Sequence, residues 1–358
     1  MLIVMHSAAR SEQIDAVVAA LKNSGLNAEL LPGSERTAIG VMGNKAFVDE
    51  DRLLTMSGVK EIIHVTKPYK LVSREFFPED TIVHVKGVQF GGTAKPVHIA
   101  GPCAVESREQ LFSIAKGVKE SGADMLRGGA FKPRSSPYSF QGLGEEGIAL
   151  LREVADELQM PFVSEILSIE DLELFEHNAD MIQIGARNMH NFDLLQRVAD
   201  LGKPILLKRG MSATVEEFLL AAEYILNRGN KQVVLCERGI RTFEQSTRNI
   251  LDLNSLALIR LESHLPIIAD PSHSAGRYDL VAPLAKAAIA AGAHGLIVEV
   301  HNKPSKALSD GKQSLDLERY EELMKEYRNT GKQEVGSEAR AKKTGMKPET
   351  SQAVFSSS

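Results

Sequence analysis

The chain has few cysteines, no excess of basic residues and no long apolar run. Of its 358 residues only two are cysteines, Cys103 and Cys236. Two are too few for a disulfide framework, so the expected compartment is the cytoplasm. The formal net charge of −5 argues against a general nucleic-acid surface, because such a surface needs a basic excess to displace counterions. Any basic site must therefore be local and aimed at a small anion.

We also expect no membrane-spanning segment and no signal peptide in this sequence. No apolar stretch approaches the ~20 residues that a helix needs to span a bilayer. The first residues, MLIVMHSAARSEQ, have too short an apolar part for a signal peptide and lack a cleavage-like segment. We therefore expect a globular protein with no membrane partner, and its hydrophobic content of 43% is ordinary for that class.

The two ends of the chain differ in pattern from its middle. Residues 1–67 read as strand, helix, strand, strand, helix and strand, an order typical of a small ferredoxin-like α+β domain. Residues 68–94 read as a connector that ends in a short hairpin, TIVHVKGVQFGG. Residues 331–358 have almost no large apolar side chains and end in serines, so we expect a disordered tail.

Between residues 95 and 330 strands and helices alternate. The apolar strand runs are VHIAG, ADMLRG, PFVSEI, DMIQIG, PILLKRG, QVVLCERG, LPIIADP and GLIVEV. Eight strands buried on both faces, each followed by a helix, suit a closed (β/α)8 TIM barrel, which needs roughly 250 residues. An open doubly wound sheet is the alternative, but no GxGxxG follows the first strand, which weakens its dinucleotide-binding version.

Charged, histidine and cysteine side chains concentrate at the predicted carboxyl ends of these strands, where the active site of a TIM barrel lies. In strand order they are Cys103; Arg127, Lys132 and Arg134; Glu165; Arg187; Lys208 and Arg209; Glu237 and Arg238; Asp270 and His273; Glu299 and His301, with Asp310 in the loop beyond. The opposite ends of the strands carry prolines instead. This asymmetry is the main sequence evidence for an enzyme.

Five cations come to that end from different strands or loops: Arg127, Lys132, Arg187, Lys208 and Arg238. Arginine offers a planar donor fork for phosphate, and lysine offers a compact charge. One phosphate needs about two or three such partners, so the set predicts a multiply charged substrate such as a phosphate plus a carboxylate. The alternative is that some of these cations only pair with Glu165, Glu237 or Asp270.

A second group combines a thiol, an imidazole and two carboxylates: Cys103, His273, Glu299 and Asp310. Together these ligand types suit a divalent metal, with Mn, Fe, Co and Zn all acceptable. A lone cysteine is more often a small buried hydrophobe, so the metal site requires that the barrel bring all four to one rim. His301 is either a fifth ligand or an acid–base group, and Cys236 is predicted to lie in the core.

Several segments then suggest a family: AGPCAVES, LRGGAFKPRSSPYSFQGLG, IQIGARN, LLKRG, LCERGIRTFE, DPSHSAGR, GLIVEVH and ALSDGKQSL. In order over residues 1–328, the chain resembles 3-deoxy-D-arabino-heptulosonate 7-phosphate (DAHP) synthases of type I-beta with an N-terminal ferredoxin-like regulatory domain. That family of transferases condenses phosphoenolpyruvate with erythrose 4-phosphate and water to give DAHP and phosphate, the first step of the shikimate pathway towards chorismate and the aromatic amino acids.

The resemblance implies roles for individual residues. Phosphoenolpyruvate would be bound by Arg127, Lys132, Ala186, Arg187, Lys208 and Arg238, erythrose 4-phosphate by Pro133, Arg134 and Ser135, and the metal by Cys103, His273, Glu299 and Asp310. Lys132, Cys103 and His273 would be the catalytic residues, with Lys132 as a candidate proton donor to the new alkoxide. The resemblance also implies a homotetramer and feedback inhibition by tyrosine or phenylalanine.

Four alternatives stay open at this stage. A 3-deoxy-octulosonate 8-phosphate synthase would use arabinose 5-phosphate, but this chain has KPRSS where that family has KANRSS. A Schiff-base aldolase would use Lys132 or Lys208 and need no metal. A non-catalytic effector-binding protein would show no turnover. Finally, residues 1–67 would only stabilise an oligomer if they had no regulatory role.

Overall fold

A computed structural model describes residues 1–32, 37–42, 48–63, 67–133 and 136–328. Its N-terminal elements are β1 (Leu2–Met5), α1 (Ser11–Asn23), β2 (Asn27–Pro32), β3 (Thr37–Met42), α2 (Glu50–Thr55) and β4 (Val59–Ile63). They form an antiparallel sheet in the order β2-β3-β1-β4. This is the predicted ferredoxin-like arrangement. The predictions made for Arg134, Ser135 and the tail 331–358 lie outside the described residues.

The remaining elements alternate in the predicted way. The strands are β5 (Val83–Val85), β6 (Val88–Phe90), β7 (Val97–Gly101), β8 (Met125–Arg127), β9 (Phe162–Ile166), β10 (Met181–Ile184), β11 (Ile205–Lys208), β12 (Val233–Glu237), β13 (Ile267–Ala269) and β14 (Gly295–Glu299). The helices are α3 (Arg108–Ser121), α4 (Glu145–Glu157), α5 (Leu172–Asn178), α6 (Phe192–Asp200), α7 (Val215–Asn227), α8 (Leu253–Glu262), α9 (Pro271–Ala275) and α10 (Val281–Ala290). Residues 317–328 are also helical.

Strands β7 to β14 form a closed parallel barrel, which confirms the predicted TIM-type fold. The ring closes where β14 pairs with β7, from Gly295 opposite Val97 to Glu299 opposite Gly101. The strand runs are apolar on both faces because one face packs inside the barrel and the other packs against the surrounding helices. Cys236 is buried in the inner cluster, as predicted.

The hairpin of β5 and β6 plugs one end of the barrel. Its Val83, Val85 and Phe90 side chains belong to the cluster that fills the barrel interior. Just before β5, the backbone N–H of Thr81 donates to the carbonyl of His264, 2.9 Å away, which precedes β13. The plugged end is therefore the amino end of the strands, and only the carboxyl end is left for a site.

The connector between the two parts is held by one acidic side chain on α7. Glu223 accepts hydrogen bonds from the backbone N–H groups of Lys70, Leu71 and Val72 at 2.9 to 3.0 Å. The Lys70 ammonium donates to the carbonyl of Val41 on β3, 3.0 Å away. A continuous set of hydrogen bonds thus links the ferredoxin-like sheet to the barrel helix that follows β11.

Among the described residues, no helix is both long and apolar enough to cross a bilayer.

Candidate active site

The carboxyl ends of the barrel strands surround a cavity of about 300 Å³. Residues predicted from the sequence that line it are Arg127, Lys132, Pro133, Ala186, Arg187, Lys208, Arg238, His273, Asp310 and Glu165. Cys103 and Glu299 are almost completely buried beside it. The side chains at the strand ends therefore surround one cavity, as the geometry of a closed barrel requires.

Arg127, at the end of β8, is a buried cation without a full set of partners. Its side chain is 6% exposed, and its Nη1 approaches Glu299 Oε1 to 3.3 Å. Neither Nε nor Nη1 forms a hydrogen bond with any described residue. Burial alone would lower the pKa of Arg127, but Glu299 and other nearby acids raise it, so the guanidinium is charged. A buried charge whose donors are unsatisfied is costly unless an anion completes its shell.

Two predicted cations are held by protein groups instead. The Lys208 ammonium lies 2.5 Å from Asp270 Oδ2, and both side chains are buried. Arg238 donates to the carbonyls of Gly239 and His273, at 3.2 and 3.4 Å, and its burial lowers its pKa. The pairing alternative is therefore correct for Lys208, although its side chain still lines the cavity.

Arg187 and Arg209 take opposite positions. Arg187 is exposed on the turn after β10 and lines the cavity. The Arg209 guanidinium is buried between Glu237 and Asp252, with Nη1 at 2.9 and 3.0 Å from their carboxylates. Of this pair, only Arg187 faces the cavity, and Arg209 ties the loops after β11 and β12 together.

Lys132 lines the cavity and contacts the backbone of Cys103. Its ammonium donates to the backbone carbonyl of Cys103 at 2.9 Å, and its backbone N–H donates to Gln141 at 2.9 Å. Gly129 makes room for it, because a Cβ there would lie 2.9 Å from the Lys132 side chain and 2.6 Å from the Cys103 carbonyl. Burial disfavours the charged amine, but Cys103, Glu299 and Glu165 outweigh it and raise the pKa of Lys132. The amine is therefore protonated.

Three of the four predicted metal ligands form one cluster, and the fourth, His273, contacts only Glu299 of that cluster. Ligand atoms of Cys103, Glu299 and Asp310 all lie within 4.8 Å of one another. His273 approaches from α9, with Nε2 at 3.4 Å from Glu299 Oε1. Its Nδ1 lies 2.7 Å from Asp270 Oδ2. Asp270 thus holds the tautomer that leaves Nε2 free as a ligand, an arrangement common in metal sites.

The protonation of this cluster fits a metal site. Burial raises the pKa of the Cys103 thiol to about 12, so a metal must displace its proton on binding. Burial also lowers the pKa of His273 and favours a neutral imidazole, the form that binds metals. Glu299 is fully buried, and its Oε1 forms no hydrogen bond with any described residue. A soft sulfur, an imidazole and two oxygens suit Mn, Fe, Co or Zn.

Some residues of the site were not found from the sequence. Arg248 lies in the loop between β12 and α8 and contacts Asp310, with Nη1 at 3.3 Å from Oδ2. Gln183, inside β10, donates to Glu165 at 3.0 Å. Gln313 donates to Glu299 Oε2 at 2.5 Å. A search confined to charged residues at strand ends misses all three, whereas inward-facing polar positions within apolar strands would have indicated Gln183.

Comparison with known proteins identifies the family. Residues 78–333 match the family model described as "DAHP synthetase I family", and residues 1–67 match "DAHP synthase ferredoxin-like domain". A curated Thermotoga maritima protein, phospho-2-dehydro-3-deoxyheptonate aldolase, is 53% identical, over 92% of this chain and 97% of the relative. A 2-dehydro-3-deoxyphosphooctonate aldolase of Syntrophobacter fumaroxidans is 31% identical, over 65% of this chain and 86% of the relative.

Solved structures agree with the sequence matches. The crystal structure of phospho-2-dehydro-3-deoxyheptonate aldolase (DAHP synthase) from Thermotoga maritima superposes with a TM-score of 0.74 at 52% identity, covering 92% of this chain and 97% of that one. A truncated form of the Thermotoga maritima DAHP synthase gives 0.69 at 54% identity, over 74% and 97% of the two chains. The chain therefore belongs to the DAHP synthetase I family of enzymes and carries a DAHP synthase ferredoxin-like domain at its N-terminus.

Proposed function

We propose that this protein is a metal-dependent DAHP synthase that condenses phosphoenolpyruvate with erythrose 4-phosphate and water. The observation that carries this proposal is the buried Arg127 guanidinium, which lines a cavity together with other cations, beside a cluster of metal-ligand side chains, and whose Nε and Nη1 form no hydrogen bond with any described residue. Such a site suits a small, multiply charged anion that reacts next to a metal ion. The name of the 53% identical relative supports the same activity.

The two substrates would lie at neighbouring parts of the cavity. Arg127, Lys132, Ala186, Arg187, Lys208 and Arg238 would bind phosphoenolpyruvate, and Pro133, Arg134 and Ser135 would bind erythrose 4-phosphate. Two phosphorylated molecules repel each other, so fixed cations are needed to hold them within reacting distance. Lys208 would contribute through its tie to Asp270, which keeps its ammonium fixed at the cavity wall.

Cys103, His273, Glu299 and Asp310 would hold one divalent metal ion, with Mn, Fe, Co and Zn all compatible. When bound, the metal supplies Lewis-acid polarisation of the aldehyde oxygen of erythrose 4-phosphate. Asp270 is not one of these four residues, but it is hydrogen-bonded to the His273 imidazole. Burial alone would raise the pKa of Asp270, but His273 and Lys208 hold it well below its ordinary value, so Asp270 keeps its charge and orients the imidazole.

The chemistry then follows from the positions of these residues. C3 of phosphoenolpyruvate attacks the aldehyde carbon, which leaves an electron-poor C2 that water captures. The added water loses one proton on capture, and the C2 hydroxyl loses its second proton as the bond from C2 to the phosphate oxygen breaks, which gives the C2 carbonyl and free phosphate. One of these protons replaces the one that Lys132 donates. Lys132 would give its proton to the new alkoxide, because its ammonium lies between the cation cavity and the metal-ligand cluster. The catalytic residues of this proposal are Lys132, Cys103 and His273.

Assaying phosphate release from phosphoenolpyruvate with each aldose would test the choice of second substrate. We expect kcat/KM with erythrose 4-phosphate to exceed that with arabinose 5-phosphate by about 100-fold or more. The reason is that this chain has the loop sequence KPRSS, which contains Pro133, where octulosonate synthases have KANRSS. Equal or better use of arabinose 5-phosphate would overturn the assignment and favour the activity named for the 31% identical relative.

Residues 1–67 would form a regulatory domain, 68–94 a connector with the barrel-closing hairpin, and 95–330 the catalytic barrel. An aromatic amino acid, tyrosine or phenylalanine, would be the effector, and the assembly would be a homotetramer. Lys70 is hydrogen-bonded both to β3 of the N-terminal domain and to Glu223 on the barrel helix α7, so the two domains are directly connected. The truncated Thermotoga maritima protein has a solved structure that covers 74% of this chain.

Deletion of residues 1–67 should separate regulation from catalysis. Because the deletion keeps the hairpin that plugs the barrel, we expect kcat/KM to stay within about threefold of the full-length value. Inhibition by tyrosine and phenylalanine should disappear. The measurement is the steady-state rate against inhibitor concentration for both proteins, with light scattering to record the oligomeric state. Inhibition that survives the deletion would show that the effector binds elsewhere.

A further inference from the structure

Gln313 contacts both of the residues that offer carboxylates to the proposed metal. Its side chain is buried, with 3% of the residue exposed. Its Nε2 donates to Glu299 Oε2 at 2.5 Å, and its backbone N–H donates to the carbonyl of Asp310 at 3.2 Å. One residue in the ALSDGKQSL segment thus connects the end of β14 with the loop that follows it.

The contact with Glu299 determines which carboxylate oxygen is available. Oε2 is occupied by the amide of Gln313, whereas Oε1 forms no hydrogen bond with any described residue. Oε1 faces His273 Nε2 at 3.4 Å and Arg127 Nη1 at 3.3 Å, without a hydrogen bond to either. Rotation of the carboxylate would break the Gln313 hydrogen bond, so the buried amide keeps one oxygen aimed at the cluster.

Arg248 fixes the amide in the orientation that this contact needs. Its Nη1 donates to Gln313 Oε1 at 3.0 Å. A guanidinium only donates hydrogen bonds, so the amide oxygen must face Arg248 and the amide NH₂ must face Glu299. A glutamate at this position would lose the donor and place a second carboxylate against the first.

Asp310 adopts a backbone conformation that needs support. Its φ of 50° lies in the left-handed region, which a non-glycine residue adopts at a cost. Its carbonyl accepts hydrogen bonds from the Gln313 backbone and from Ser314 Oγ, both at 3.2 Å. The turn that presents the Asp310 carboxylate is therefore closed by the residue whose side chain holds Glu299.

We propose that Gln313 is a positioning residue that sets the geometry of Glu299 and thereby the affinity of the metal site. This inference rests on the proposed metal site. Residues that orient metal ligands from outside typically change metal affinity by about 10- to 100-fold when they are removed. Gln313 is such a residue, because its amide contacts the proposed ligand Glu299, while the amide nitrogen and oxygen are both already hydrogen-bonded to protein groups.

The test is Co²⁺ binding to metal-free Gln313→Met, which keeps the size of the side chain and removes the donor. Competition with a chromophoric chelator gives the dissociation constant, and the thiolate-to-cobalt absorption band reports the bond to Cys103. We expect the dissociation constant to rise about 10- to 100-fold, with the band retained and the ligand-field spectrum changed. Gln313→Asn, which withdraws the amide by one methylene, should give an intermediate rise.

Ser314→Ala is the matched control, because it removes a hydrogen bond from the same turn without touching either carboxylate. We expect its dissociation constant to stay within about threefold of the unmodified protein. An unchanged dissociation constant in both Gln313 variants would overturn the proposal, and so would an equal rise in Ser314→Ala, which would make the effect one of loop stability. Failure of the unmodified protein to bind Co²⁺ through Cys103 would instead overturn the metal site itself.

Discussion

The Cys103→Ala variant is expected to lose at least about 10³ in kcat/KM, equivalent to about 4 kcal/mol of transition-state stabilisation. The thiol is the only sulfur in the ligand cluster formed by described residues. In the proposed site its loss would leave only the carboxylates of Glu299 and Asp310 and the His273 imidazole to hold a metal. The Cys103 backbone carbonyl still accepts the Lys132 hydrogen bond, so the amine keeps its place. Steady-state rates and metal content of the purified protein are the measurements.

Cys236→Ala provides the matched control for this result. Cys236 is equally buried but lies in the apolar interior of the barrel. Its loss should lower the free energy of unfolding by about 1 kcal/mol and leave metal content and rate nearly unchanged. Chelation of the unmodified protein should reproduce the Cys103→Ala defect, and added metal should reverse it. Full activity in Cys103→Ala, or in metal-free protein, would instead favour a Schiff-base aldolase.

The fold could be predicted from the sequence because its signals are local. Each barrel strand is a short run that is apolar on both faces, such as VVLC at the start of β12, and amphipathic helices separate the runs. The parallel barrel then places every strand's carboxyl end at the same rim. That topology alone brought Arg127, Lys208 and Glu299 into one neighbourhood, although more than 170 residues separate the first from the last.

Partnerships between distant residues could not be predicted in the same way. The sequence shows Lys208 and Asp270 as strand-end charges, but their 2.5 Å pairing depends on the closed barrel. Arg248 and Gln313 carry no local signal, because their roles depend on two loops that meet over Glu299. The family resemblance implies a set of ligands, whereas the hydrogen bonds that orient these side chains arise only where the two loops meet in the folded chain.

The Lys132→Met variant should show a collapse of turnover with a much smaller loss of phosphoenolpyruvate affinity. A positioned general acid contributes about 10² to 10⁴ in rate, whereas one charge-assisted hydrogen bond to a bound anion contributes about tenfold in affinity. The neighbouring Arg127 and Arg238 remain to hold the anion. Turnover is measured by phosphate release at saturating substrates, and affinity by calorimetric titration of phosphoenolpyruvate without the aldose.

Arg187→Met is the contrasting variant, because Arg187 lines the cavity from an exposed turn and is not one of the described residues that form the metal-ligand cluster. Its loss should weaken phosphoenolpyruvate affinity by about tenfold and reduce kcat by less than about threefold. An uncharged Met at position 132 also removes the donor to the Cys103 carbonyl, so metal content must be equal before the rates are compared. Equal losses of turnover and affinity in Lys132→Met would show that the amine only binds substrate and gives no proton.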